Sequence, residues 1–83
     1  MITREEFAAV MERYADYKGI ATDEQGDLTQ FIDETEVSDW ARANVEWAVG
    51  SGLITGTDEG RIDPQGNTTR AEAATILQRF LDR

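Results

Sequence analysis

Two stretches of this 83-residue chain are written in the same pattern. Aligned 66 residues apart, they agree at Thr3/Thr69, Arg4/Arg70, Glu6/Glu72, Ala8/Ala74, Arg13/Arg79 and Asp16/Asp82. Val10/Ile76, Met11/Leu77 and Tyr14/Phe80 add conservative pairs. Each stretch opens on a capping box, Thr3 with Glu6 and Thr69 with Glu72, in which hydroxyl and carboxylate satisfy each other's backbone amides. Phe7, Val10, Met11 and Tyr14 then fall at i, i+3, i+4 and i+7, as do Ala73, Ile76, Leu77 and Phe80. The spacing predicts amphipathic helices over 3–17 and 69–82. A copy at this offset marks an array whose units bury their apolar faces on one another. The chain therefore reads as one full unit preceded by the closing helix of another: residues 1–19 as that closing helix, 20–30 as a polar loop, and 31–83 as the complete repeat.

Between the copies the pattern is coarser. Lys18 and Gly19 stop the first helix. Residues 20–30 lack periodicity and are expected to form a mobile loop, after which Phe31-Ile32-Asp33 makes a short extended lead-in with an apolar anchor. Ser38 or Asp39 is expected to cap a second helix over 39–50, with Trp40, Ala41, Asn44, Val45, Trp47 and Ala48 on a broad inner face. Gly50-Ser51-Gly52 ends it, since glycine accepts the left-handed C-cap. Residues 53–66 are dense in turn formers, with Leu53, Ile54 and Ile62 as anchors, and two very short strand pieces are expected there. The fold class is mainly α: a small helical domain of about three helices joined by ordered, turn-rich loops.

Composition narrows the chemistry. Asp and Glu number 17 against 8 Lys and Arg, a formal charge of −9, with no His and no Cys. Nucleic acid is a poor partner for so acidic a surface. Imidazole catalysis, His-ligated metal and thiolate chemistry are excluded. Ser38 and Ser51 have no possible His base, and the single lysine, Lys18, sits in a polar setting; no enzyme is expected. A calcium loop around Gly60 would place Thr55, Thr57 and Gly66 at its ligand positions, and one around Gly26 would begin at Ala21 and end at Ile32, so neither supplies the bidentate Glu. No metal or cofactor is expected. No apolar run reaches the ~20 residues of a membrane helix.

The ordered motifs of residues 31–83 resemble the S-layer homology (SLH) domains of bacterial surface proteins. They are Phe31-Ile32-Asp33, Trp40-Ala41, Gly52-Leu53-Ile54-Thr55-Gly56, Asp58-Glu59-Gly60-Arg61-Ile62-Asp63-Pro64 and Thr69-Arg70-Ala71-Glu72. Glu5 stands where the family usually has Ala, Ile62 where Phe is frequent, and Thr57 where Tyr-Pro is common. The resemblance implies a non-catalytic module that anchors a protein to an anionic secondary cell-wall polysaccharide, often with pyruvylated sugars, in grooves between neighbouring repeats. It implies an extracellular location at the cell wall or S-layer, and as partners the polysaccharide and neighbouring repeats or a second copy.

Carried over by position, the implied ligand-binding residues are Arg4, Asp33, Trp40, Gly56 and Arg70. Arginine suits a ketal-linked pyruvate, because guanidinium pairs with carboxylate through two parallel hydrogen bonds, and a helix start adds partial positive charge. Other readings stand beside these. Capping alone accounts for the Thr and Glu of both boxes, Trp40 is either a sugar-stacking ring or core, and Asp33 either holds a ligand or an arginine or caps a turn. Gly56 would let a ligand approach the backbone. The alternative function is a protein-interaction or spacer module on the same scaffold without glycan binding, and two homologous helices flanking one repeat also predict pairing or exchange between copies.

Overall fold

The computed structural model describes residues 2–57 and 59–82. Among them are three α-helices, α1 (Arg4–Tyr17), α2 (Arg42–Gly50) and α3 (Arg70–Leu81). The mainly α expectation holds. The two short strand pieces expected within 53–66 do not form among the described residues; one isolated antiparallel bridge joins Thr3 to Asn67.

Both capping boxes form. The Glu6 amide donates to Thr3 Oγ1 at 3.2 Å and the Thr3 amide to Glu6 Oε1 at 2.8 Å. The Thr69–Glu72 pair repeats this with 3.1 Å in each direction. Each cap contributes ~0.5–2 kcal/mol. The second helix starts differently from expectation. Asp39–Ala41 is a 3-10 turn feeding α2, and Ser38 makes no capping bond. Its hydroxyl is already committed to Glu5, at 2.7 Å.

Residues 20–30 are more structured than a mobile loop. Asp27 caps a 3-10 turn at Leu28–Gln30, Leu28 is buried, and the Gly26 amide reaches the Glu46 carbonyl at 2.7 Å. Of the extended lead-in, Phe31 is extended and buried, whereas Asp33 has turned to φ −110° and ψ 24°.

The core forms where α1 lies on α2. Ala8, Met11 and Ala15 join Ala41, Val45, Trp47 and Ala48, and Leu28, Phe31, Leu53, Ile54, Ile62 and Phe80 complete the cluster. The buried edge of α1 is thus rotated from the expected stripe: Met11 is inside, but Val10 and Tyr14 are each 48% exposed. Small residues at 8 and 15 favour close helix contact, and Tyr14 instead meets the Phe80 ring of α3, centroids 5.9 Å apart. Trp40 is likewise no core residue; it is 60% exposed, because the 3-10 turn puts Ala41 inward in its place.

Two carboxylates are buried with the core and tie loops to it. Glu5 accepts from the Ser38 amide (2.9 Å), the Ser38 hydroxyl (2.7 Å) and Gln65 Nε2 (3.1 Å). Asp33 accepts from the amides of Ile62 (2.9 Å) and Asp63 (2.8 Å). Removing such an acceptor strands buried donors, at about 1–3 kcal/mol each. Glu5→Ala is therefore expected to lower the free energy of unfolding by about 1–3 kcal/mol in urea titrations. An unchanged midpoint would show that Ser38 finds another acceptor.

Candidate functional site

The start of α1 is held by the loop that leads to α3. The Arg4 and Glu5 amides donate to the carbonyls of Gly66 (2.9 Å) and Pro64 (3.1 Å), and the Thr68 amide donates to Ile2 (2.8 Å). Helix-end amides that would otherwise be open to an anion are thus used. The Arg4 side chain continues the same contact. Nε donates to Glu72 Oε2 and Nη2 to Glu72 Oε1, both at 2.8 Å, while Nη1 reaches Asp63 Oδ2 at 2.9 Å. This planar fork clasps the first helix to the last. Gly66 makes room for it: a Cβ there would collide with Arg4 Nη1 and the Asp63 carboxylate.

The Glu72 carboxyl is held below the usual glutamate value of 4.5. Its burial pushes the other way, but the Thr69 amide, the Arg4 guanidinium and the Thr69 hydroxyl together outweigh that.

Beside the clasp runs a groove of about 290 Å³ between α3 and the turn-rich loop. Leu53, Ile54, Ile62 and Ile76 give it apolar walls, and Arg4, Thr57, Thr75 and Arg79 add polar groups. Gly56 lines it too. At φ 83° it has the left-handed conformation that suits glycine, and a Cβ would stand 2.5 Å from the Phe31 ring. A second, shallower hollow of about 400 Å³ lies along α1, where Trp40 meets Arg13, Glu12, Asp16 and Asn44.

The five residues singled out from sequence therefore do not converge. Arg4 and Gly56 share the groove, and Trp40 borders the second hollow. Asp33 is buried with both oxygens turned to backbone amides. Arg70 is exposed at the first turn of α3, with no hydrogen bond or ion pair among the described residues. Arg79 was not singled out, yet it lines the groove and spends one donor on the Leu53 carbonyl at 3.1 Å. Its signal was its identity with Arg13 in the repeat, since Arg13 lines the other hollow.

Comparison with known proteins agrees with this construction. The S-layer homology domain pattern matches residues 30–74, more than half of the chain. The chain belongs to the S-layer homology domain family, whose members occur in bacterial cell-surface proteins and generally anchor them to the cell wall. It is 38% identical over 82 residues to an amylopullulanase of Thermoanaerobacterium thermosulfurigenes and 35% identical over 82 residues to the exoglucanase XynX of Acetivibrio thermocellus, with 99% of the chain covered in both. It is 29% identical over 84 residues to the surface-layer 125 kDa protein of Lysinibacillus sphaericus, covering 98% of the chain. It spans 4%, 8% and 7% of those proteins' lengths. No solved structure matches it.

Two outcomes separate the copied arginines. Arg4→Ala is expected to lower stability by about 1–2 kcal/mol, between an exposed and a buried pair, while Arg70→Ala stays within ~0.5 kcal/mol. Equal effects in thermal melts would show that the clasp is not what distinguishes them. Because Glu72 titrates below its unfolded value, its contribution is complete above pH 4.5 and is lost as pH falls through the lower folded value. The stability deficit of Glu72→Gln should accordingly be largest near neutrality and shrink as the pH is taken below 4.5.

Proposed function

We propose that this chain is a non-catalytic anchoring module that binds an anionic cell-wall polysaccharide at the surface of a bacterium, through a site shared between consecutive repeats. The observation that carries this reading is the register of the two hollows. Thr75 and Arg79 of the groove are the copies of Ala9 and Arg13 in the second hollow. The same helix face thus borders both. In the groove it meets the Gly56 loop of its own unit, and in the second hollow it meets Trp40 and Asn44 of the unit that follows it. Superposed by the repeat, the two halves make one complete site: a helix arginine, a glycine loop and an exposed tryptophan.

The chemistry of that combined site suits an acidic sugar. Arg79 retains free donors for a carboxylate such as that of a pyruvyl ketal. The Trp40 ring, 60% exposed, presents an amphipathic face of the kind that stacks on a pyranose. Threonine hydroxyls supply neutral hydrogen bonds, and Arg70 offers a further free guanidinium. The net charge of −9 does not oppose this, since screening within ~8 Å at physiological salt leaves local arginines in control. The alternative, a spacer or protein-interaction module without glycan, draws its support from Arg4, whose fork is already filled by Glu72 and Asp63.

Binding to purified wall polysaccharide, native and chemically depyruvylated, tests the reading. Arg79→Ala and Trp40→Ala should each weaken binding by about tenfold or more, about 1.4 kcal/mol, with melting temperatures near that of the parent. Arg70→Ala should lose affinity while keeping its melting temperature. If a protein carrying the full repeat array ignores both polysaccharides, the spacer reading replaces this one.

A further inference from the structure

The groove and the second hollow are bordered by copies of one helix face, yet their charges are opposite. The groove sets Arg4 and Arg79 against Glu72, and the hollow sets Arg13 against Glu12 and Asp16. Glu12 is particular to α1, since its copy in α3 is the neutral Gln78. It is also held in place: Asn44 Nδ2, from α2, donates to Glu12 Oε1 at 2.7 Å, and both side chains are half-buried. That bond decides what Asn44 can offer. An asparagine amide has a donor nitrogen and an acceptor oxygen, and its partners determine which points where. A carboxylate accepts only, so it draws Nδ2 towards α1 and leaves Oδ1 as an acceptor. Glu12 Oε2 and Asn44 Oδ1 have no donor among the described residues, and neither is buried without a partner.

We infer that the Glu12–Asn44 pair is a specificity determinant of the hollow: it reads hydroxyl donors on an uncharged edge of the sugar that stacks on Trp40, and it turns the sugar's anionic group to the other side. This rests on the reading of the hollow as part of a glycan site and adds which edge of the sugar enters it. The seam between α1 and α2 presents acceptors beside the exposed Trp40 ring. A sugar hydroxyl has a proton to give them. A ligand carboxylate has none and meets like charge, so the wrong orientation is penalised as well as the right one favoured. Arg13 follows Glu12 in sequence and therefore points about 100° away around the helix. It is exposed and has no hydrogen bond or ion pair among the described residues, so the acid is left to it. The hollow thus has an acceptor side and a donor side, and a ring lying on Trp40 fits them in one orientation.

The test measures binding of the 83-residue chain to the wall polysaccharide and to the same polymer with its carboxylates reduced to alcohols. Glu12→Gln keeps an oxygen for Asn44 Nδ2 and should hold the melting temperature within ~2 °C of the parent. It removes the charge, however, and lets both amides turn over. The ratio of native to reduced-polymer affinity is expected to rise about threefold or more. Asp16→Asn removes an exposed charge of the same hollow that has no bond to Asn44, and should move that ratio less. An unchanged ratio in Glu12→Gln, an equal loss on both polymers, or an equal shift in Asp16→Asn would each overturn the inference. Where Trp40→Ala weakens binding while the Glu12→Gln ratio stays at the parent value, the glycan reading stands and this inference alone falls. A parent chain that binds neither polymer overturns both.

Discussion

The fork between Arg4 and Glu72 is the contact on which this small fold closes. It joins the first turn of the chain's first helix to the first turn of its last, across almost the whole sequence. Around it converge the Asp63 carboxylate, the Gly66 turn and the backbone bonds that seat α1 on the 63–68 loop. Its net worth is modest, because a partly exposed ion pair gives back in desolvation much of what it gains in attraction. Its value is geometric. A guanidinium filled on two edges fixes the angle at which α1 enters, and that angle sets which of its residues meet α2.

The acidity of the chain acquires a structural meaning in the same way. Glu5 and Asp33 are acceptors for five donors drawn from the loops at 38, 62, 63 and 65. With no strand among the described residues to satisfy loop amides, the two oxygens of each acidic side chain take that part. The fold thus uses some of its acids as internal scaffolding while the rest solvate the surface. This is how a domain with little core keeps long loops ordered.

Much of the architecture was legible from local rules. Thr3/Glu6 and Thr69/Glu72 determine their helix starts within one turn, so spacing alone found them. Gly19 and Gly52 close their helices with positive φ, again a local event. What was not legible depended on distant contacts. Ser38 has the right identity and place for a cap, but Glu5, remote in sequence, claims its hydroxyl. Trp40 belongs to the expected inner stripe of a regular helix, and a 3-10 turn shifts it outwards. Val10 and Tyr14 obey the helical period, yet two alanines rotate the buried edge away from them. Asp33 was open between ligand and turn because the amides it serves lie about thirty residues downstream. Arg79 carried its hint in the repeat identity, which showed equivalence with Arg13 but not that either borders a hollow.

The repeat makes the chain its own control experiment. Arg4 and Arg70 share residue type, helix position and capping box, so intrinsic propensity cannot distinguish them. One is fully engaged, and the other has no hydrogen bond or ion pair among the described residues. The difference lies in what each meets: Arg4 finds Glu72 and Asp63, and the carbonyls of Gly66 and Pro64 take its helix-start amides, whereas Arg70 finds no such set among the described residues. The motif arginine is therefore not by itself a ligand contact or a structural clasp; its role is set by the neighbour it meets. An anionic sugar and a following repeat would compete for the same guanidinium, because each brings a carboxylate to one planar fork. Where no carboxylate clasps it, as at Arg70, the motif arginine is open to a ligand; where a clasp forms, as at Arg4, ligand contacts come from groups the clasp leaves alone. Arg79 on its helix flank and the exposed Trp40 ring are such groups, and both lie outside the fork.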